Sequence, residues 1–242
     1  MAIKVAIFKI GGKILDNSKY LINTIAQLTQ LYEDNIIQKI ILIPGGGTLA
    51  NFVRNLYLEF KIDDELAHWI AIFSMNFNGL ELQRKFPHLE LVEDFEYLKN
   101  KKRIFSIFLP YKYLRLIDPL PHSWDITSDS ISLYCAYKLG VNDCFLIKDV
   151  DGVLDRNSNV IKELTTKKFL KLKKEGDLTK TNANSSHIKE KSKPFDAYIT
   201  KLIDLHKVNL IILNGVSPNL RILNYFSKTD KTNKVYSKIN FE

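Results

Sequence analysis

The chain has 242 residues, 45% hydrophobic and 26% charged, which excludes wholesale disorder and gives core enough for a single domain over residues 1–242. No apolar run approaches the roughly 18 to 20 residues that span a bilayer, and the amino terminus lacks the pattern of a secretion signal, so a cytoplasmic protein without a membrane partner is expected. The net charge of +8 is spread along the chain with no basic helix or stacking-aromatic motif, which argues against nucleic acid and suits a phosphate-bearing small molecule.

Residues 3–10 form an apolar, β-rich run that ends in Lys9-Ile10-Gly11-Gly12. Glycines after a strand let backbone N–H groups approach an anion, and the lysine supplies charge for a migrating phosphoryl group; a glycine pair also marks an ordinary turn. Helical spacing over 20–32 leads to a second run, 39–43, and then to Pro44-Gly45-Gly46-Gly47-Thr48, which opens a helix over 49–60. Unobstructed amides at a helix start make a second anion cradle. It is neither a GxxxxGK[ST] loop nor a GxGxxG fingerprint. Two cradles after successive strands suit an enzyme that holds a donor and an acceptor together. The next helix, 64–86, carries Trp69, Ile70, Ile72, Phe73, Phe77 and Leu80, apolar surface for the core or for a subunit contact.

A third run, 104–109, precedes His122-Ser123-Trp124-Asp125-Ile126-Thr127-Ser128-Asp129-Ser130, which enters a helix over 128–139. Thr127 or Ser128 fits an N-cap, and Asp129 either answers the helix dipole or orients Lys9 around phosphates. His122 and Trp124 are candidates for choosing the acceptor; a buried histidine packed on that tryptophan explains them equally well. The strand over 144–150 leaves through Lys148-Asp149-Val150-Asp151-Gly152-Val153-Leu154-Asp155, whose spacing is not that of a calcium loop and fits a nucleotide site. After a helix over 166–174, residues 176–193 are polar and too long for an ordinary connection, so a mobile surface loop, or a lid over the nucleotide, is expected. Helices over 196–206 and 219–226 flank a last run, 209–213; in the turn Asn214-Gly215-Val216-Ser217-Pro218, Ser217 fits a cap and Pro218 the first helical position. Cys135 and Cys144 have no partners at metal-ligand spacing and read as buried thiols; no protein metal site is read from the sequence. Continuous apolar runs alternating with helices predict an α/β, three-layer αβα sandwich with a mainly parallel central sheet and ligands at the strands' carboxyl ends.

Taken in order, KIGG, IPGGG, ITSDS, KDVDGV and ILNG resemble the amino acid kinase family, which has the carbamate kinase-like fold and includes acetylglutamate kinase, uridylate kinase and aspartokinase. The stretch HSWDITSDSISLY and the ending VYSKI are most similar to a short archaeal and methylotroph branch that phosphorylates aminomethylfuranmethyl phosphate for methanofuran; the related molybdenum storage proteins share the KD.DG form. The resemblance implies ATP-dependent transfer to a small anionic acceptor, with Mg2+ on the phosphates, in a homo-oligomer. It implies Lys9 and Asp129 as catalytic residues and Gly11, Gly12, Lys148, Asp149, Asp151, Gly152 and Asp155 on the nucleotide. Gly45, Gly46 and Gly47, with His122, Trp124 and Ser128, fall on the acceptor side. Many relatives carry a second catalytic lysine after Gly-Gly-Met; here that region reads Ser192-Lys193-Pro194-Phe195-Asp196, and Lys193 or Lys148 is the candidate replacement. The alternatives are a kinase for a nucleoside monophosphate, carboxylate or carbamate, or an inactive nucleotide-binding storage or scaffold protein of the same fold.

Overall fold

The strand Ile3–Ile10 (β1) is apolar on both faces, with Ile7 in one hydrophobic cluster and Ala6, Phe8 and Ile10 in another, and it accordingly runs through the middle of a sheet. A computed structural model describes residues 3–179, 194–196, 198–227 and 233–242. After β1 come α1 (Gly12–Leu15), α2 (Ser18–Glu33), β2 (Ile37–Pro44), α3 (Gly47–Phe60), α4 (Asp64–Lys85), β3 (Glu90–Val92) and α5 (Phe95–Asn100). β4 (Ile104–Phe108), α6 (Tyr111–Ile117), α7 (Ser128–Lys138) and β5 (Asp143–Lys148) complete the first half of the fold. β6 (Glu163–Thr165), α8 (Thr166–Glu175), α9 (Ile199–His206), β7 (Asn209–Asn214), α10 (Arg221–Phe226) and β8 (Ser237–Asn240) follow.

The strands lie in the order β3-β4-β2-β1-β5-β7-β8-β6, parallel throughout except for β7 against β8. Ile7 shares its cluster with Ile72 of α4, Leu133 of α7 and Leu202 of α9, while Phe8 shares the other with Ile25 of α2 and Ile222 of α10. Helices thus cover both faces, which is the expected α/β sandwich with a mainly parallel sheet. Cys135 and Cys144 are buried free thiols, the first pushed up to about 12 by burial.

Two expectations change. The last helix begins at Arg221, and Ser217 does not cap it; Ser217 Oγ accepts from Asn219 N, at 3.3 Å, ahead of the helix. Its opening amides, Ile222 N and Leu223 N, donate instead to Gln27 Oε1 of α2, at 3.1 and 3.2 Å, so the cap comes from a distant part of the chain. The helix expected from 196 starts at Ile199, because the Asp196 carboxylate lies before it and accepts from Ile199 N at 2.9 Å. Of the segment 176–193, Gly176 ends α8 in the left-handed region (φ +71°) and Leu178 bridges to Asp155; residues 180–193, with Lys193, lie outside the described residues.

Candidate active site

Side chains alternate across a strand, so Lys9 follows Ile7 onto the α7 face of β1, and Lys148 follows Cys144 and Leu146 onto the same face of β5. The parallel register places Ile10 beside Ile147, which brings the two lysines to neighbouring strand tips. The third member comes from α7. Thr127 caps that helix, accepting from Asp129 N at 3.2 Å, and Asp129 occupies its first turn. Lys9 Nζ lies 2.7 Å from Asp129 Oδ1, and Lys148 Nζ donates to Oδ2 at 2.6 Å.

All three groups are buried, with Asp129 only 2% exposed. Burial alone would raise the Asp129 carboxyl, but the charges and hydrogen bonds of Lys148 and Lys9 outweigh it and hold it at about 2. Lys9 is lowered from the usual lysine range, by burial first and then by the like charge of Lys148, against the pull of Asp129. Two ammonium groups on one carboxylate leave an excess of positive charge at the strand tips. The next carboxylate, Asp196, is turned to helix starts: it accepts from Thr127 N and Oγ1, Ser130 N and Oγ, and Ile199 N, at 2.7 to 3.1 Å. Burial and the Asp129 charge raise its pKa.

The two glycine turns meet at this point. A Cβ on Gly12 would stand 2.8 Å from Gly47 Cα, so Gly12 accepts no side chain without moving the second turn, and Gly47, with a φ of +55°, accepts none without backbone strain. A Cβ on Gly45 would lie 3.2 Å from Lys9 Cε and 3.3 Å from Ser128 Oγ. The tips of β1 and β2 therefore face one cleft, with Lys9 and Ser128 at its edge. The cradle is narrower than the glycine runs suggest. Gly11 N donates to Ile147 O and Gly45 N to Ile10 O, both at 2.9 Å, so these amides extend the sheet and are not offered to an anion. Gly46 begins α3 without a side-chain cap, which leaves an anion-favouring helix start beside Lys9.

The segment after β5 divides. Asp149 pairs with Lys13 at 2.9 Å, just beyond the first glycine turn. Asp151 accepts from Asn214 Nδ2 at 3.1 Å and lies 3.6 Å from Arg221 Nε. Gly152 packs its Cα against Ser237, and Asp155 closes its own turn by accepting from Asn157 N and Asn159 N at 2.8 and 2.9 Å. These two serve the loop's shape.

His122 and Trp124 do not pack on each other. His122 stacks on His68 (centroids 4.4 Å apart), meets Trp69 edge-on and contacts Asp118 at 2.9 Å, whereas Trp124 meets Tyr57 at 5.5 Å and carries the Arg54 guanidinium 4.9 Å above its ring. Burial, with the neighbouring His122, lowers His68 to about 4, so it is neutral at physiological pH. A pocket opens here between α3, α4 and the start of α7. Ala50, Ala71, Ile72, Met75, Ile126 and Ile131 give it an apolar lining; Arg54, Asp64, His68, Trp124 and Ser128 give it polar and aromatic edges. Ser128 belongs to both pocket and cleft and joins them. The sequence gives Arg54, Asp64, His68 and Asp196 no distinguishing mark: Arg54 sits on an ordinary amphipathic helix, Asp64 and His68 sit on a helix whose apolar and polar residues are mixed around it, and Asp196 caps a helix 66 residues earlier.

The model of the amino acid kinase family matches residues 4–214. The chain belongs to the amino acid kinase family. One family relative is the [5-(aminomethyl)furan-3-yl]methyl phosphate kinase of Methanocaldococcus jannaschii, 36% identical over 172 residues that cover 66% of this chain and 77% of that protein. Membership and this relative make the protein an ATP-dependent kinase with ATP as its phosphate donor. The fold is shared with the UMP kinase of Ureaplasma parvum (TM-score 0.68, 19% identity, covering 99% of this chain and 97% of that one). It is shared also with the uridylate kinase of Archaeoglobus fulgidus (0.64, 15%, covering 98% and 100%) and the aspartate kinase of Synechocystis (0.63, 12%, covering 98% and 40%).

Proposed function

We propose that this kinase phosphorylates a small phosphate monoester of the kind named for its Methanocaldococcus relative, [5-(aminomethyl)furan-3-yl]methyl phosphate, and releases the corresponding diphosphate with ADP. The observation that carries the reading is the pair of ammonium groups on Asp129 at the meeting point of the two glycine turns. In this reaction a monoester oxygen attacks the γ-phosphorus, the bond to the β,γ-bridging oxygen breaks, and ADP leaves with that electron pair. No covalent enzyme intermediate is needed. What the protein supplies is position and positive charge, and a buried centre delivers both without reorganising.

In this reading Lys9 and Lys148 neutralise the migrating group, Asp129 holds them in place, and Lys148 stands where relatives use the lysine after Gly-Gly-Met. Gly12, Asp149 and Asp151 face the nucleotide; Gly46, Gly47, Ser128 and Trp124 face the acceptor. Among the described residues no group of three or more His, Cys, Asp or Glu is arranged to hold a metal, and Asp129 is already paired with both lysines. Asp149 and Asp151 are likewise engaged, by Lys13 and by Asn214 with Arg221, so magnesium fits only as an ion carried on the nucleotide's own phosphates, where it would neutralise phosphate charge.

One domain over the whole chain and a cytoplasmic setting complete the reading; no described helix is long and apolar enough to cross a membrane. The homo-oligomer is placed on α4, where Leu66, Ile70, Phe73, Phe77 and Leu80 recur at steps of four and three and are all exposed, a stripe that a second copy would cover. Light scattering in solution checks this, and a strictly monomeric protein contradicts it.

The acceptor is tested by ADP release from ATP and magnesium with the furan monoester, UMP, carbamate and N-acetylglutamate in parallel. The monoester is expected to give turnover that falls about a thousandfold in Lys9→Ala. Turnover with one of the other acceptors alone would replace the reading with that acceptor's kinase.

A further inference from the structure

The pocket beside the cleft has a direction, set by the two helices that wall it. α3 and α4 both reach the glycine turn: Gly46 meets Ala50 of α3, and a Cβ on it would lie 3.5 Å from Ala71 O of α4. Arg54 stands one helical turn along α3 from Ala50, about 6 Å at 1.5 Å per residue. Asp64 stands seven residues before Ala71 on α4, about 10 Å from the glycine turn by the same rise. Both line the same pocket. Read from the cleft outward, the order is an anion-favouring helix start, a guanidinium, an indole face, and last a carboxylate.

The carboxylate is not consumed by the cation nearest it in the lining. Arg54 lies over Trp124, and Asp64 is held by the hydroxyl of Tyr57, one turn beyond Arg54 on α3. The other ionisable group of the lining, His68, is kept neutral by burial and opposes no cation. Asp63, next in sequence, is occupied as the cap of α4 through Leu66 N at 3.0 Å.

We infer that this pocket reads the acceptor at both ends: a flat ring lies along Trp124 with its phosphate toward Gly46 and Ser128, and a primary ammonium at the far end is recognised by Asp64. This rests on the monoester-kinase reading and adds to it the residue that selects an aminated acceptor. A charge-assisted hydrogen bond at a partly solvated carboxylate is a tenfold effect, large enough to decide between two acceptors of the same shape.

The test compares kcat/KM for [5-(aminomethyl)furan-3-yl]methyl phosphate with that for the analogue bearing methyl in place of aminomethyl. The wild-type enzyme is expected to prefer the aminated compound by about tenfold or more. Asp64→Asn is expected to bring the two within about threefold, through a higher KM for the aminated compound, while Asp64→Glu, which keeps the charge, retains most of the preference. If Asp64→Asn keeps the full preference, or the wild type uses both compounds equally, the assignment of Asp64 is wrong and the kinase reading stands. If neither monoester receives phosphate from ATP, the reading beneath it falls and takes this inference with it.

Discussion

At the tips of β1 and β5 three charged side chains are buried against one another, whereas a short way off, between α3 and α4, Arg54 and Asp64 stand in solvent at the edge of an apolar pocket. The first arrangement is rigid because it has to be. Removing Asp129 leaves two buried ammonium groups without their counter-charge, so the carboxylate cannot be changed while both lysines stay. The second carries no such penalty, since a surface carboxylate or guanidinium is exchanged at the cost of a contact. Under the proposed function, a kinase built this way would keep its transfer chemistry fixed while the choice of acceptor is free to drift.

The sharpest way to break that contrast is Asp129→Asn. It leaves Lys9 and Lys148 side by side without a counter-charge and is expected to destabilise the fold by about 3 to 5 kcal/mol, measured by urea unfolding at neutral pH. The acid limb reads the same interaction. Because the folded Asp129 carboxyl sits at about 2, below its ordinary 3.8, its stabilisation is complete above pH 4 and lost as pH falls toward 2, by about 2 kcal/mol. In the variant that part of the acid sensitivity should vanish. A variant as stable as the wild type, with an unaltered acid limb, would show that the cluster is not the rigid element described.

Trp124→Ala is the small counterpart. Its ring is only half-buried, so stability should scarcely move, but the acceptor loses its flat wall and KM for it should rise about tenfold with little change in kcat. An unfolding midpoint that drops as far as for Asp129→Asn would erase the distinction between the two regions.

The same contrast explains what was legible beforehand. β1, β2 and β5 are continuous apolar runs, and Lys9, the glycines and Lys148 stand at their ends, where alternation and register alone dictate the face and the neighbour. Asp129 is fixed by its place in the first turn of α7. The pocket is assembled from positions on α3, α4 and the 123–131 segment that meet only after packing, so Arg54, Asp64 and His68 are indistinguishable from solvated helix residues. Asp196 and Gln27 were invisible for a related reason: each satisfies the amides of a helix remote in sequence, and local capping patterns do not reach that far. The short elements β3, α5, α6, β6 and β8 are too brief to show a period.

β8 enters the sheet between β7 and β6, and among the described residues β6 has no other strand beside it. The final strand is thus a wedge that ties an earlier strand to the sheet, and Ser237 at its start also takes the amide hydrogen of Val153 and donates to Ile161 O. During synthesis the loop that follows Asp149 must wait for residues 237–240 to emerge before it is fastened, so a turn made midway along the chain is held by a hydroxyl that arrives 84 residues after it.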